Sequence, residues 1–157
     1  MLDYISWFSN AINDPVLVSI VLGAFPVSEV RGAVIYAFSI SQPWLILPAI
    51  ISNILVCPLI LLLWKAINIP KLGSLILGKS LESKLLKLGK EYEKYGIIAL
   101  ILFIGIPLPA TGVYTATLLG ELLGIKRRNL LFASVIGVLL SAILTSIVVT
   151  GFFSLLS

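Results

Sequence analysis

The feature that most constrains this chain is a proline and two opposite charges set inside an otherwise apolar stretch. The segment Phe25-Pro26-Val27-Ser28-Glu29-Val30-Arg31-Gly32 separates an apolar run from Pro15 to Phe25 from another between Gly32 and Ile40. The surrounding composition makes this placement costly. With 59% hydrophobic residues, 11% charged residues and a mean hydropathy of +1.14 over 157 residues, the chain has too little polar surface to cover a water-soluble globule. It reads as an all-α integral membrane protein, in which each buried charge costs about 2.5–3.5 kcal/mol on insertion scales. Glu29 and Arg31 are two positions apart, so on a helix they point roughly 200° away from each other. Each therefore needs a partner from elsewhere.

Length then limits the topology. Val16 to Phe25 and Glu29 to Ile40 each supply about 15 Å of helix, against a hydrocarbon core of about 30 Å. Neither piece crosses alone, and two half-length helices joined at Pro26 predict a re-entrant hairpin whose tip is buried in protein or faces a wet cavity. One kinked spanning helix is the competing arrangement. Pro43 to Lys65, opened by Trp44 and closed by Trp64-Lys65, predicts a full span. Pro48 and Pro58 are expected to kink it, and Asn53 between them calls for a polar partner.

The plan then repeats. Gly96 to Ile106 and Thr111 to Gly124 are two more half-spans, and Pro107-Leu108-Pro109 forbids a continuous helix between them. Asn129 to Leu156 is a second full span, containing Gly137, Ser141, Thr145 and Ser146, small residues that let helices approach closely. Residues 1 to 14, with Tyr4, Trp7 and Phe8, predict an interfacial segment. Between the halves, Leu81, Leu85, Leu88, Tyr92 and Tyr95 recur every three or four residues and predict an amphipathic linker helix. The chain thus divides into one membrane domain over 1–157, with repeat one at 11–67, the linker at 68–95 and repeat two at 96–157.

Charge orients this layout. If each hairpin returns to its own side and each long helix crosses, ten of the eleven Lys and Arg residues share one face, leaving Arg31 within the membrane. The positive-inside rule makes that face cytoplasmic, with residues 65–95 and 126–128 inside and both termini outside, as expected for a multi-pass protein of the plasma membrane. The two halves then enter from opposite faces as inverted repeats, a plan common among transporters. No signal cleavage is predicted after Met1-Leu2-Asp3. The bases lie next to membrane segments, which argues against nucleic acid as a partner. Cys57 reads as a packed small hydrophobe, histidine is absent, and no metal or cofactor is expected. Gly120 and Gly124 form a G-x-x-x-G, a weak pointer to a homodimer.

Two motifs resemble a known family. Ser28-Glu29-Val30-Arg31-Gly32-Ala33 is similar to the E-x-R-G-A signature of the small multidrug export proteins of bacteria and archaea. Lys94-Tyr95-Gly96, followed by Gly105-Ile106-Pro107-Leu108-Pro109-Ala110-Thr111-Gly112, resembles that family's second signature, P-L-P-x-T-G. In plan the family is similar to the wider DedA (SNARE-associated Golgi protein) superfamily. The resemblance spans nearly the whole chain and implies paired re-entrant loops meeting at mid-membrane. From DedA-like relatives it also implies movement of lipid-linked phosphates or other amphipaths with proton coupling. The chain departs in two places: Ile35 stands where many members carry proline, and Pro109 and Thr111 stand where DedA-like arginines are expected, so the substrate does not carry over.

The expected function is a small secondary transporter or lipid translocase for an anionic amphipath. Its site lies between the hairpin tips, where two half-helix N-termini and Arg31 favour an anion. Expected binding residues are Arg31, Ser28, Pro26, Pro107, Pro109, Thr111 and Gly112, with Glu29 as the proton-coupling group. An enzyme acting on lipid headgroups is disfavoured, since no nucleophile–base pair or carboxylate cluster is present. A non-transporting scaffold, with Glu29 and Arg31 pinning the tips, is the main alternative.

Overall fold

Helix boundaries follow from local chemistry. The structure is a computed structural model describing residues 3–67, 93–107 and 111–156, and within these the regular elements are helical. After α1 (Asp3–Ala11), the Asp14 carboxylate caps α2 (Pro15–Ala24), accepting from the Val16 and Leu17 amides at 2.8 and 3.4 Å, while Pro15 takes the first-turn position where its missing N–H costs nothing. Pro26 pushes Phe25 into an extended conformation, which ends α2. Helix α3 (Glu29–Ser39) then returns along α2. A 3-10 turn (Pro43–Leu45) leads into α4 (Ile46–Ile67). The second half comprises α5 (Glu93–Gly105), α6 (Val113–Leu122) and α7 (Arg127–Leu156).

Several expectations shift. The long helix starts at Ile46 rather than Pro43, so Pro48 occupies its first turn, where no intrahelical donor is needed, and Pro58 alone interrupts its interior. Helix α5 begins at Glu93, placing Glu93 to Tyr95 in the second half rather than in the linker; residues 68–92 of the expected linker helix lie outside the described residues, as does Pro109.

Helices α4 and α7 form the axis of the bundle. Helix α4 packs on α2, α3, α6 and α7, and α7 packs on α3, α4, α5 and α6. Both carry stretches long and apolar enough to cross a membrane, Pro43–Trp64 and Arg127–Phe152. Leu47, Ile51, Leu55, Leu59 and Leu62 recur along one side of α4, each more than half exposed. An apolar stripe of that kind is a liability in water and the natural outer face in lipid.

Candidate functional site

The centre of the molecule is the place where the start of α3 meets the broken ends of α5 and α6. Glu29 is buried at 6% exposure and adopts φ +49°, a left-handed conformation rare for a residue with a side chain and costing about 1–3 kcal/mol. That conformation is held by what the side chain reaches. Its carboxylate accepts the backbone N–H groups of Val113 and Tyr114, at the N-terminal end of α6. A carboxylate there satisfies two amides that lack helical partners and meets the positive end of the helix dipole. Gly112 makes this approach possible: a Cβ at that position would overlap both carboxylate oxygens, and its φ of +157° is one that side-chain-bearing residues rarely adopt.

Arg31 serves the opposite pole. One terminal nitrogen donates to the carbonyls of Ile104 and Ile106, each at 3.1 Å, where α5 ends, and to Thr111 Oγ1 at 3.2 Å. Its Nε donates to Ser141 Oγ on α7 at 3.1 Å. The negative end of α5 therefore meets a cation and the positive end of α6 an anion, both carried by one turn of α3. The two residues, poorly placed for one another in sequence, bind opposite ends of the same helix pair.

The ends of α2 are answered in return. The carbonyls of Leu22, Gly23 and Ala24 accept from Ser28 Oγ at 2.6 Å, from Asn53 Nδ2 at 2.7 Å and from the Tyr114 hydroxyl, respectively. Asn53 thus finds the polar partner its position calls for, although its Oδ1 is buried without one. Two expected site residues make hydrogen bonds within the node. The Ser28 hydroxyl turns back to α2 and makes no cap bond to α3. Thr111 donates to the Ile106 carbonyl at 3.1 Å while accepting from Arg31, and Gly112 takes the cap position of α6. Pro26 and Pro107 are exposed at the tips and act by ending helices.

Sequence reasoning did not identify Tyr114 or Ser141 as members of this cluster. A tyrosine within a half-span was a readable signal, since its hydroxyl needs a partner when buried. Ser141 carried no signal separating it from its neighbours. The G-x-x-x-G also has a duty inside the chain. A Cβ on Gly120 would strike Leu130 Cδ2 of α7, and Gly124, at φ +69°, closes α6 with Gly124 N–H to Glu121 O and Ile125 N–H to Gly120 O at 3.1 and 2.9 Å. Beside it, Arg127 Nε donates to Glu121 Oε1 at 2.8 Å in a partly exposed ion pair.

The family described as "Putative small multi-drug export protein" matches residues 29–144, or 116 of 157 residues. The chain belongs to this family. The match opens on Glu29 and includes Ile104, Ile106, Thr111 and Ser141, which accept from Arg31, so the cross-capped node lies inside what this chain shares with the small multi-drug export family. Family membership and the two long apolar helices make it a membrane protein, of an export type at the coarse level. The link to the wider DedA superfamily rests on motif resemblance alone. No curated protein and no solved structure matches the chain. Among the described residues no cluster of His, Cys, Asp or Glu offers a metal site.

Proposed function

We propose that this small multi-drug export family member moves an amphipathic anion across the plasma membrane, without covalent chemistry, through the node formed by Glu29 and Arg31. The observation carrying the reading is that one turn of α3 holds both broken ends of the α5–α6 pair through a buried acid and a half-buried base. A bond between halves that depends on charge responds to charge: an arriving anion competes for the guanidinium, and a proton on Glu29 weakens its hold on α6. Arg31 donates to the neutral oxygens of Ser141, Ile104, Ile106 and Thr111 and is attracted by Glu29, and a phosphate offers its planar fork charge-assisted bonds in competition with these. In this reading α2–α3 and α5–α6 are re-entrant hairpins of two inverted repeats. It draws support from helices of 10, 11, 13 and 10 residues, roughly 15–20 Å long against a core of about 30 Å. Residues 65–95 and 126–128 face the cytoplasm, with Glu29 coupling transport to protons.

Flux of a fluorescent alkyl phosphate in proteoliposomes tests this. Arg31→Lys should cut transport about tenfold by losing the fork, and Glu29→Gln should abolish accumulation driven by a pH gradient. Unchanged flux in folded Arg31→Ala, or retained pH-driven accumulation in Glu29→Gln, would refute the assignment. A second reading, a non-transporting scaffold, is favoured by the way Arg31 ties the end of α5 to Ser141 of α7 through hydrogen bonds. No flux in the parent, with loss of folding in both variants, supports it.

A further inference from the structure

We infer that the groove between α1, α3 and α7 holds the apolar tail of a single-chain anionic amphipath drawn from the bilayer, whose head reaches Arg31 past Thr145; this rests on the transport reading above. The groove has a volume of about 680 Å³ and is lined by Ile5 of α1, Ile35 and Tyr36 of α3, Ile40 just past the end of α3, and Val149 and Phe152 of α7. Helical spacing connects it to the node. Ile35 lies four positions beyond Arg31 on α3, about 6 Å along the axis, Ile40 follows the last residue of that helix, and Val149 lies eight positions beyond Ser141 on α7. The groove therefore continues the α3–α7 seam whose other end is the contact from Arg31 to Ser141.

Between the two ends sits Thr145, one turn from Ser141 and one from Val149. It is 7% exposed, and its hydroxyl has no hydrogen-bond partner. A helical threonine can donate to the carbonyl one turn back, as buried Thr117 does to Val113 at 2.7 Å and exposed Thr150 does to Ser146 at 2.8 Å. Thr145 does not, so a buried hydroxyl without a partner stands on α7 between Ser141, which holds Arg31, and Val149, which lines the groove. A ligand's head oxygen supplies the missing partner.

Charge selects the head. At the inner end stands the Arg31 guanidinium, which Glu29 attracts while its own carboxylate is held by α6; at the far end the acid nearest Tyr36 is Asp14, the cap of α2. The planar guanidinium at the inner end offers an anionic head charge-assisted, forked hydrogen bonds. The apolar lining selects an alkyl tail over a free phosphate.

The experiment measures equilibrium binding of dodecyl phosphate, inorganic phosphate and the neutral dodecyl maltoside to the full chain in phosphatidylcholine nanodiscs. Dodecyl phosphate should bind at least about tenfold tighter than either control. Val149→Trp should weaken dodecyl phosphate about tenfold and leave inorganic phosphate unchanged, while Thr145→Val, which preserves shape, should weaken both severalfold. Ile40→Trp, at the half-buried mouth, replaces Val149→Trp should the latter fail to fold. Tight dodecyl phosphate binding that folded groove variants leave intact overturns the inference. So does equal binding of dodecyl maltoside insensitive to Arg31→Ala, the behaviour of an ordinary lipid-facing crevice. Parallel liposome flux separates the two proposals: transport indifferent to a filled groove sinks this inference alone, and groove binding without flux sinks the transport reading alone.

Discussion

Replacing Gly112 with alanine probes the cross-capped node most directly. The added Cβ would fall on the Glu29 carboxylate, which must leave the Val113 and Tyr114 amides to make room. Hydrogen bonds involving a charged group contribute about 1.5–3 kcal/mol each, so losing two costs about 3–6 kcal/mol before any relaxation. The backbone at φ +157° adds roughly 1 kcal/mol. On a total stability of about 5–15 kcal/mol this is a large fraction, and for a chain of this size the lower bound of about 4 kcal/mol lowers Tm by roughly 8–16 °C. The steric account makes a sharper claim through a double-mutant cycle. With Glu29→Ala already in place the three atoms nearest to the new Cβ are gone, and Gly112→Ala should then cost little beyond the backbone term. The coupling energy should be about 2 kcal/mol or more, read from reversible unfolding in mixed micelles by circular dichroism. Additivity within about 0.5 kcal/mol would refute the placement of the carboxylate against Gly112.

Tyr114→Phe removes the donor to the Ala24 carbonyl and nothing else, so it should destabilise by about 0.5–1.5 kcal/mol; no change in the unfolding midpoint would place that hydroxyl elsewhere. Gly120→Ala should cost about 1–3 kcal/mol through overpacking against Leu130 while leaving the oligomeric state in detergent unaltered, because that glycine faces its own α7. A change of oligomer with no change in stability would restore the dimer reading. Glu121→Gln should cost less than about 1 kcal/mol, since its ion pair with Arg127 is partly exposed, and thermal unfolding at low and high salt checks this. With Cys57 replaced, cysteines at positions 84 and 14 should label from the cytoplasmic and external sides respectively; labelling of position 84 from outside contradicts the proposed orientation.

The sequence alone determined the properties that belong to single residues and short windows. Apolar content placed the chain in a membrane, Pro26 and Pro107 ended helices wherever the rest of the protein happened to lie, and Glu29 and Arg31 could be recognised as charges that required partners. These follow from transfer free energies and backbone restriction, which act locally. Which partners they took was decided only by tertiary structure. Arg31 meets Ile104 and Ile106 more than seventy positions away, Ser141 lies 110 positions away, and Tyr114 reaches back 90 positions to Ala24. Nothing in the local pattern distinguishes Ser141 from Ser134, whose hydroxyl merely bonds its own helix at Leu131. The roles of Gly112 and Gly120 likewise appeared only once a carboxylate and a leucine stood against them. A helix end needs a charge of the right sign but not a particular residue, so the pairing of Glu29 with α6 and Arg31 with α5 was set by how α3, α5, α6 and α7 pack together.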